Sequence, residues 1–178
     1  MSKDIYFEVY RKAHNNAVSL LKSAQVLFDA KQYPQSYVMA YSALEEISKS
    51  QFSADVYTGF RNKDEFKSFY KDHKSKIALI GWAHEDATSY PHKCKWIGPD
   101  IDDVEEMNPD KPLFQKRQSA LYVDIDFDGE RISTPSDIIT EKDARDIIHI
   151  VEVALERIWE VSNEEFGTGR IGTKAFLK

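Results

Sequence analysis

The sequence predicts an all-α protein, an antiparallel helical bundle with one small β-hairpin insertion. Two patterns carry that prediction. Apolar residues recur at three- and four-residue spacing through most of the chain, whereas strict alternation is confined to Tyr122-Val-Asp-Ile-Asp-Phe-Asp. In addition, only Lys31-Gln32-Tyr33 separates the first two periodic segments, and so short a connection makes them antiparallel neighbours.

The first helix is expected over residues 4–30, with Val9, Ala13, Ala17, Leu20, Leu21, Ala24, Leu27 and Phe28 on one face. Pro34 suits the first position of a second helix, where its missing N–H costs nothing. That helix should reach Tyr57, with Gly59 and Asn62 beyond its end, and Asp64 is expected to cap a third. The third carries Phe66, Phe69, Tyr70, His73, Ile77, Ile80 and His84 on one face and should fade near Thr88. From Tyr90 to Leu113 the chain is proline-rich and acidic with little periodicity, which predicts a long irregular connection. A short helix is expected over residues 115–122. Asp128-Gly129 then closes a hairpin on Arg131-Ile132. Thr140 with Asp143 resembles a capping box opening a last helix, which runs through Ile147, Val151, Leu155 and Val161 to about Asn163. The chain therefore reads as one helical domain over residues 1–166, followed by a loosely packed tail over 167–178.

The 178 residues are 42% hydrophobic and 12% aromatic, enough to bury a core and too apolar for a disordered chain. No apolar run approaches the roughly 20 residues that a membrane-spanning helix needs. The first residues mix both charge signs around no apolar stretch, so no secretory signal is read there and the cytoplasm is expected. The single cysteine, Cys94, excludes an intramolecular disulfide framework and cysteine-rich zinc sites. His92-x-Cys94 near His84 is too sparse a set to predict a metal. With 24 Lys+Arg against 30 Asp+Glu, the net charge of -6 argues against non-specific polyanion binding, so any contact with nucleic acid must be local.

On the second helix, Tyr37, Ala40, Tyr41, Leu44, Ile47 and Gln51 form the main stripe, flanked by Glu45 and Lys49 at i, i+4, a spacing that reads as a surface ion pair. Glu46 shares the opposite side with Met39, Ser42, Ala43 and Ser50, which looks like a second contact surface. A carboxylate there needs a cation or donor, either as a structural pair or as a functional acid. The third helix concentrates Lys67, Lys71, Lys74 and Lys76 beside aromatics, a phosphate-facing patch or simply a solvated basic face. His73 in its apolar stripe is either a satisfied core histidine or a general acid–base. No glycine-rich phosphate loop, GxSxG or HExxH occurs.

Taken together, Ala13-His-Asn-Asn-Ala-Val-Ser-Leu-Leu-Lys-Ser-Ala, Tyr33-Pro-Gln-Ser-Tyr, Ala43-Leu-Glu-Glu-Ile-Ser-Lys, His73-Lys-Ser-Lys and Arg117-Gln-Ser-Ala-Leu-Tyr-Val-Asp make the sequence resemble the AbiV abortive-infection family of the HEPN superfamily. The resemblance implies an up-and-down bundle of HEPN type that commonly dimerises and a role in defence against phage. Many HEPN proteins are metal-independent endoribonucleases whose signature is an Arg followed, after four to six residues, by a His. Here Arg117 is followed after four residues by Tyr122, with tyrosine in the histidine's place. Arg145 and His149 have only three residues between them.

On this resemblance Arg117 would bind and polarise phosphate, His73 or Tyr122 would handle the proton, and Glu46 would orient Arg117 or Lys49. Lys49, Lys74 and Lys76 would contact the substrate, and no metal or cofactor is called for. The alternative role of Arg117 and Tyr122 is structural, the Arg bridged to Glu46 with the Tyr packed beneath it. The expected partners are a second copy of the chain and an RNA or ribosome-associated target. The competing reading is a non-catalytic dimeric binding module that recognises a phage or host protein through residues 90–113.

Overall fold

The computed structural model describes residues 3–59, 61–72, 76 and 110–160. Among the described residues, six helices and one hairpin follow in chain order: α1 (Lys3–Asp29), α2 (Tyr33–Thr58), α3 (Lys63–Lys71), α4 (Asp110–Leu121), β1 (Asp124–Asp126), β2 (Arg131–Ser133), α5 (Pro135–Ile138) and α6 (Glu141–Glu160). The fold is the expected all-α bundle with a small β-hairpin.

α1 and α2 form the antiparallel hairpin that the short connection dictates. Lys31 takes a left-handed conformation at φ 60°, and the N–H of Gln32 reaches back to the Leu27 carbonyl at 2.9 Å, which reverses the chain. Pro34 lies in the first turn of α2, and Gly59 ends that helix at φ 85°, a left-handed cap that favours a residue without Cβ.

α2 is the central helix. Ala17 and Ala24 of α1, Ala40, Ala43, Leu44 and Ile47 of α2, and Ile147, Val151 and Ala154 of α6 share one core. Small residues let α1 approach α2 closely, and two serines fasten it. Ser36 Oγ donates to the Ala24 carbonyl at 2.8 Å, and Ser50 Oγ donates to the Tyr10 carbonyl at 3.0 Å. Ala43 and Ser50, which read as a second contact surface, are therefore covered within the chain. Met39, Ser42 and Glu46 stay only half-buried.

A second cluster joins α3 to the far end of α2. Phe52 stacks on Phe69 at 4.2 Å between ring centroids, and Tyr6 meets Phe66 edge-on at 5.4 Å. Asn62, not Asp64, caps α3: its side chain accepts from the N–H groups of Asp64 and Glu65, while Glu65 accepts from the Asn62 N–H. Asparagine directly before the first turn is the stronger cap, and Asp64 falls inside that turn. α3 ends at Lys71 because Asp72 is extended. One unbroken helix to Thr88 is thus ruled out, and residues 77–109 lie outside the described residues, as does the tail from 161.

α4 starts earlier than expected, at Asp110. Residues 110–113, read as the end of the irregular connection, are helical, and Leu113 is buried with its carbonyl accepting from the Tyr37 hydroxyl at 3.3 Å. The hairpin register pairs Ile125 with Ile132 and Asp126 with Arg131. Within its turn, Asp126 accepts from the N–H groups of Asp128 and Gly129. A Cβ on Gly129 would meet Asp126 Oδ2 at 2.3 Å, so any larger residue would make that carboxylate shift in the turn. α5, with Thr134 and Asp137 as its capping pair, was not anticipated. Thr140 and Asp143 form the expected box at the start of α6.

Candidate functional site

α4 places Arg117 against α2. Its guanidinium carbon stands 5.1 Å from the centroid of the Tyr41 ring, a cation–π arrangement. Tyr41 is completely buried. Its hydroxyl and Arg117 Nε are also buried, and neither has a hydrogen-bond partner among the described residues. Burial, and then the Glu45 carboxylate, push the Tyr41 hydroxyl far above its ordinary range, while Arg117 acts the other way. The phenol therefore remains protonated at neutral pH and can only donate or accept as O–H.

Glu45 lies one turn beyond Tyr41 on α2 and is buried, which corrects its reading as half of a surface pair with Lys49. Lys49 pairs instead with Glu46, both side chains about one-sixth exposed. The Glu46 carboxylate is thus matched to Lys49, one of its two expected partners, and it does not bridge Arg117.

Lys76 comes to the same region from the segment after α3. The Ser48 hydroxyl donates to its backbone carbonyl. Lys76 itself is buried. Burial pushes its ammonium below the ordinary lysine range, opposed first by Glu45, with Lys49 adding to the depression. Tyr70 shares its ring between the two cations, with Lys49 Nζ at 5.4 Å and Lys76 Nζ at 5.5 Å from the centroid. Glu45 therefore acts electrostatically on both groups, on Tyr41 beside Arg117 and on Lys76 with Lys49. His73 and Lys74 lie outside the described residues.

Tyr122 does not join this group. It follows the end of α4, its N–H bonds to the Gln118 carbonyl, and it is 63% exposed. Five residues advance a helix by about 140° beyond one full turn, so Arg117 and Tyr122 leave it in different directions. The tyrosine beneath Arg117 is Tyr41. Arg145 pairs with Glu141 and lies 5.8 Å from the Phe28 ring, whereas His149 is buried with Nδ1 3.9 Å from Glu152. Those two are structural neighbours on α6.

Tyr41, Glu45 and Tyr70 were not singled out from sequence as site residues. Tyr41 and Tyr70 read as stripe aromatics, and only the crossing of α4 over α2 turns Tyr41 into a platform for a cation. Among the described residues no group of three or more His, Cys, Asp or Glu could hold a metal ion, and no helix is long and apolar enough to cross a membrane.

No curated protein and no solved structure matches the chain. A family model described as AbiV matches residues 5–156, spanning α1, α2, α4 and most of α6. The chain belongs to the AbiV family of the HEPN superfamily, and its function is of the abortive-infection, HEPN type.

Proposed function

We propose that this chain acts in antiphage abortive infection as a metal-independent endoribonuclease, with Arg117 as its phosphate ligand. The observation that carries the reading is Arg117 itself: a guanidinium held over Tyr41 with Nε unpaired among the described residues, while Glu45, which acts on the Tyr41 hydroxyl, acts also on Lys76. Such an arginine is suited to a phosphate oxygen, to which it offers planar, charge-assisted donors.

In the reaction, the ribose 2′-oxygen bonds to the adjacent phosphorus as its proton passes to a base. The bond from phosphorus to the 5′-oxygen breaks, and that oxygen takes up a proton. The products are a 2′,3′-cyclic phosphate and a 5′-hydroxyl end. Arg117 offsets the charge gathering on the phosphoryl oxygens. Glu46 fixes Lys49 for a neighbouring phosphate, with Lys76 and Lys74 as further cationic contacts. His73 is the proton-handling group in this proposal, because a phenol is in general a poor base at neutral pH. The test is RNA degradation by the purified chain in EDTA, compared with Arg117→Ala.

The protein works as a homodimer in this reading, supported by the habit of HEPN proteins to dimerise. A monomer by light scattering at high micromolar concentration would defeat it. A second reading, a binding module for a phage or host protein, is favoured by the hairpin. Ile125 and Ile132 face each other across its strands on one side, yet both are exposed, and Phe127 at its tip is 83% exposed.

A further inference from the structure

We propose that Tyr41 is the phenol that works with Arg117, its ring carrying the guanidinium and its hydroxyl serving as a second donor to the oxyanion that Arg117 binds. This deepens the phosphate-site reading above and rests on it.

Three observations lead there. The ring and the guanidinium carbon are 5.1 Å apart, so the face of Tyr41 sets where Arg117 sits. The two buried polar atoms of this couple, Tyr41 Oη and Arg117 Nε, lack hydrogen-bond partners among the described residues. A buried hydroxyl without a partner destabilises a fold, and phenylalanine would fill the same space without that cost. A side chain whose polar atom weakens the protein at rest is accounted for if the atom acts in a bound state, where hydrogen bonds tighten that are open without ligand. Third, Tyr122, which holds the motif position, stands exposed beyond the end of α4.

Glu45, on the next turn of α2, acts electrostatically on the same hydroxyl. It disfavours the phenolate, which keeps the proton on Oη for donation. It also repels an approaching anion, so the site takes a phosphoryl oxygen only with Arg117 in place. Tyr41 thus acts both through Arg117, by positioning it, and directly, by donation.

The experiment compares wild type, Tyr41→Phe and Arg117→Ala by thermal melting with and without inorganic phosphate, by cleavage of single-stranded RNA in EDTA, and by phage protection in cells. Phosphate should raise the wild-type midpoint. Tyr41→Phe should melt at the same or a higher temperature than wild type, lose most of the phosphate-dependent rise, lower kcat/KM about a hundredfold, and protect poorly. A purely structural hydroxyl cannot produce gained stability together with lost binding. If Tyr41→Phe melts several degrees lower, or keeps the full phosphate response, the proposal is overturned. No phosphate response in wild type overturns it as well. If wild type does not cleave RNA but its phosphate response and its protection both depend on the Tyr41 hydroxyl, the nuclease reading fails while the oxyanion site stands.

Discussion

The Asp143 carboxylate is bonded from two sides, by the Lys116 ammonium of α4 and by the N–H and hydroxyl of Thr140 at the start of α6. One side chain therefore caps α6 and ties it to the helix that carries Arg117 on the residue after Lys116. Burial alone would raise the Asp143 carboxyl, but the bonds from Lys116 and Thr140 overcome it and hold the group below its ordinary value of 3.8.

Asp143→Asn should cost about 1–2 kcal/mol, because it weakens a cap and removes one partner of a part-buried ion pair. The pH dependence follows from the depressed pKa. The contribution of Asp143 is complete above the unfolded value and is lost as pH falls through the lower folded value. Urea titrations at pH 7 and near pH 3 should show the gap between wild type and variant shrinking in acid.

Asp55 is completely buried and meets Arg61 Nε at 3.3 Å, while Arg61 covers the Phe52 ring at 4.7 Å. Asp55→Ala should destabilise the chain by about 3 kcal/mol, the cost typical of breaking a buried pair. Phosphate binding at 25 °C should be unaffected in the fraction that remains folded. Chemical denaturation gives the first quantity and calorimetry the second.

Arg117→Ala should abolish phage protection with little loss of stability, about 1 kcal/mol or less from the cation–π contact. A loss of several kcal/mol would instead assign Arg117 to the scaffold. Melting curves and plaque counts on the same variant decide between them.

Tyr122→Phe should reduce cleavage only modestly, since the side chain is exposed and apart from Arg117 in direction. His73→Ala should lower it by roughly 100- to 10,000-fold, the usual weight of a general acid or base. Single-turnover rates on a short RNA measure both, and a large effect of Tyr122→Phe would restore Tyr122 to the site.

Much of the fold was legible because it depends on local chemistry. Pro34, Gly59, the Thr140 and Asp143 box and Asp128-Gly129 each mark an element end through backbone preferences that act within a few residues. Asn62 was misjudged only as to which polar residue accepts the first N–H groups, and α5 is a single turn too short to show a period. The site was less legible because it depends on how helices cross. Period alone places Glu45 beside Lys49, yet Lys49 turns to Glu46 and Glu45 is buried near Tyr41 and Lys76. Arg117 was identified by its motif, but its tyrosine partner comes from a helix 76 residues earlier in the chain, a relationship without sequence spacing.

The central claim is that Arg117 binds the phosphate of an RNA that this chain cuts, and the most direct measurement is cleavage of single-stranded RNA by purified wild type and Arg117→Ala in excess EDTA. The account predicts products ending in 2′,3′-cyclic phosphate and 5′-hydroxyl from wild type and none from the variant. Intact RNA with wild type at high enzyme concentration, from a preparation whose gene still protects cells, would contradict it.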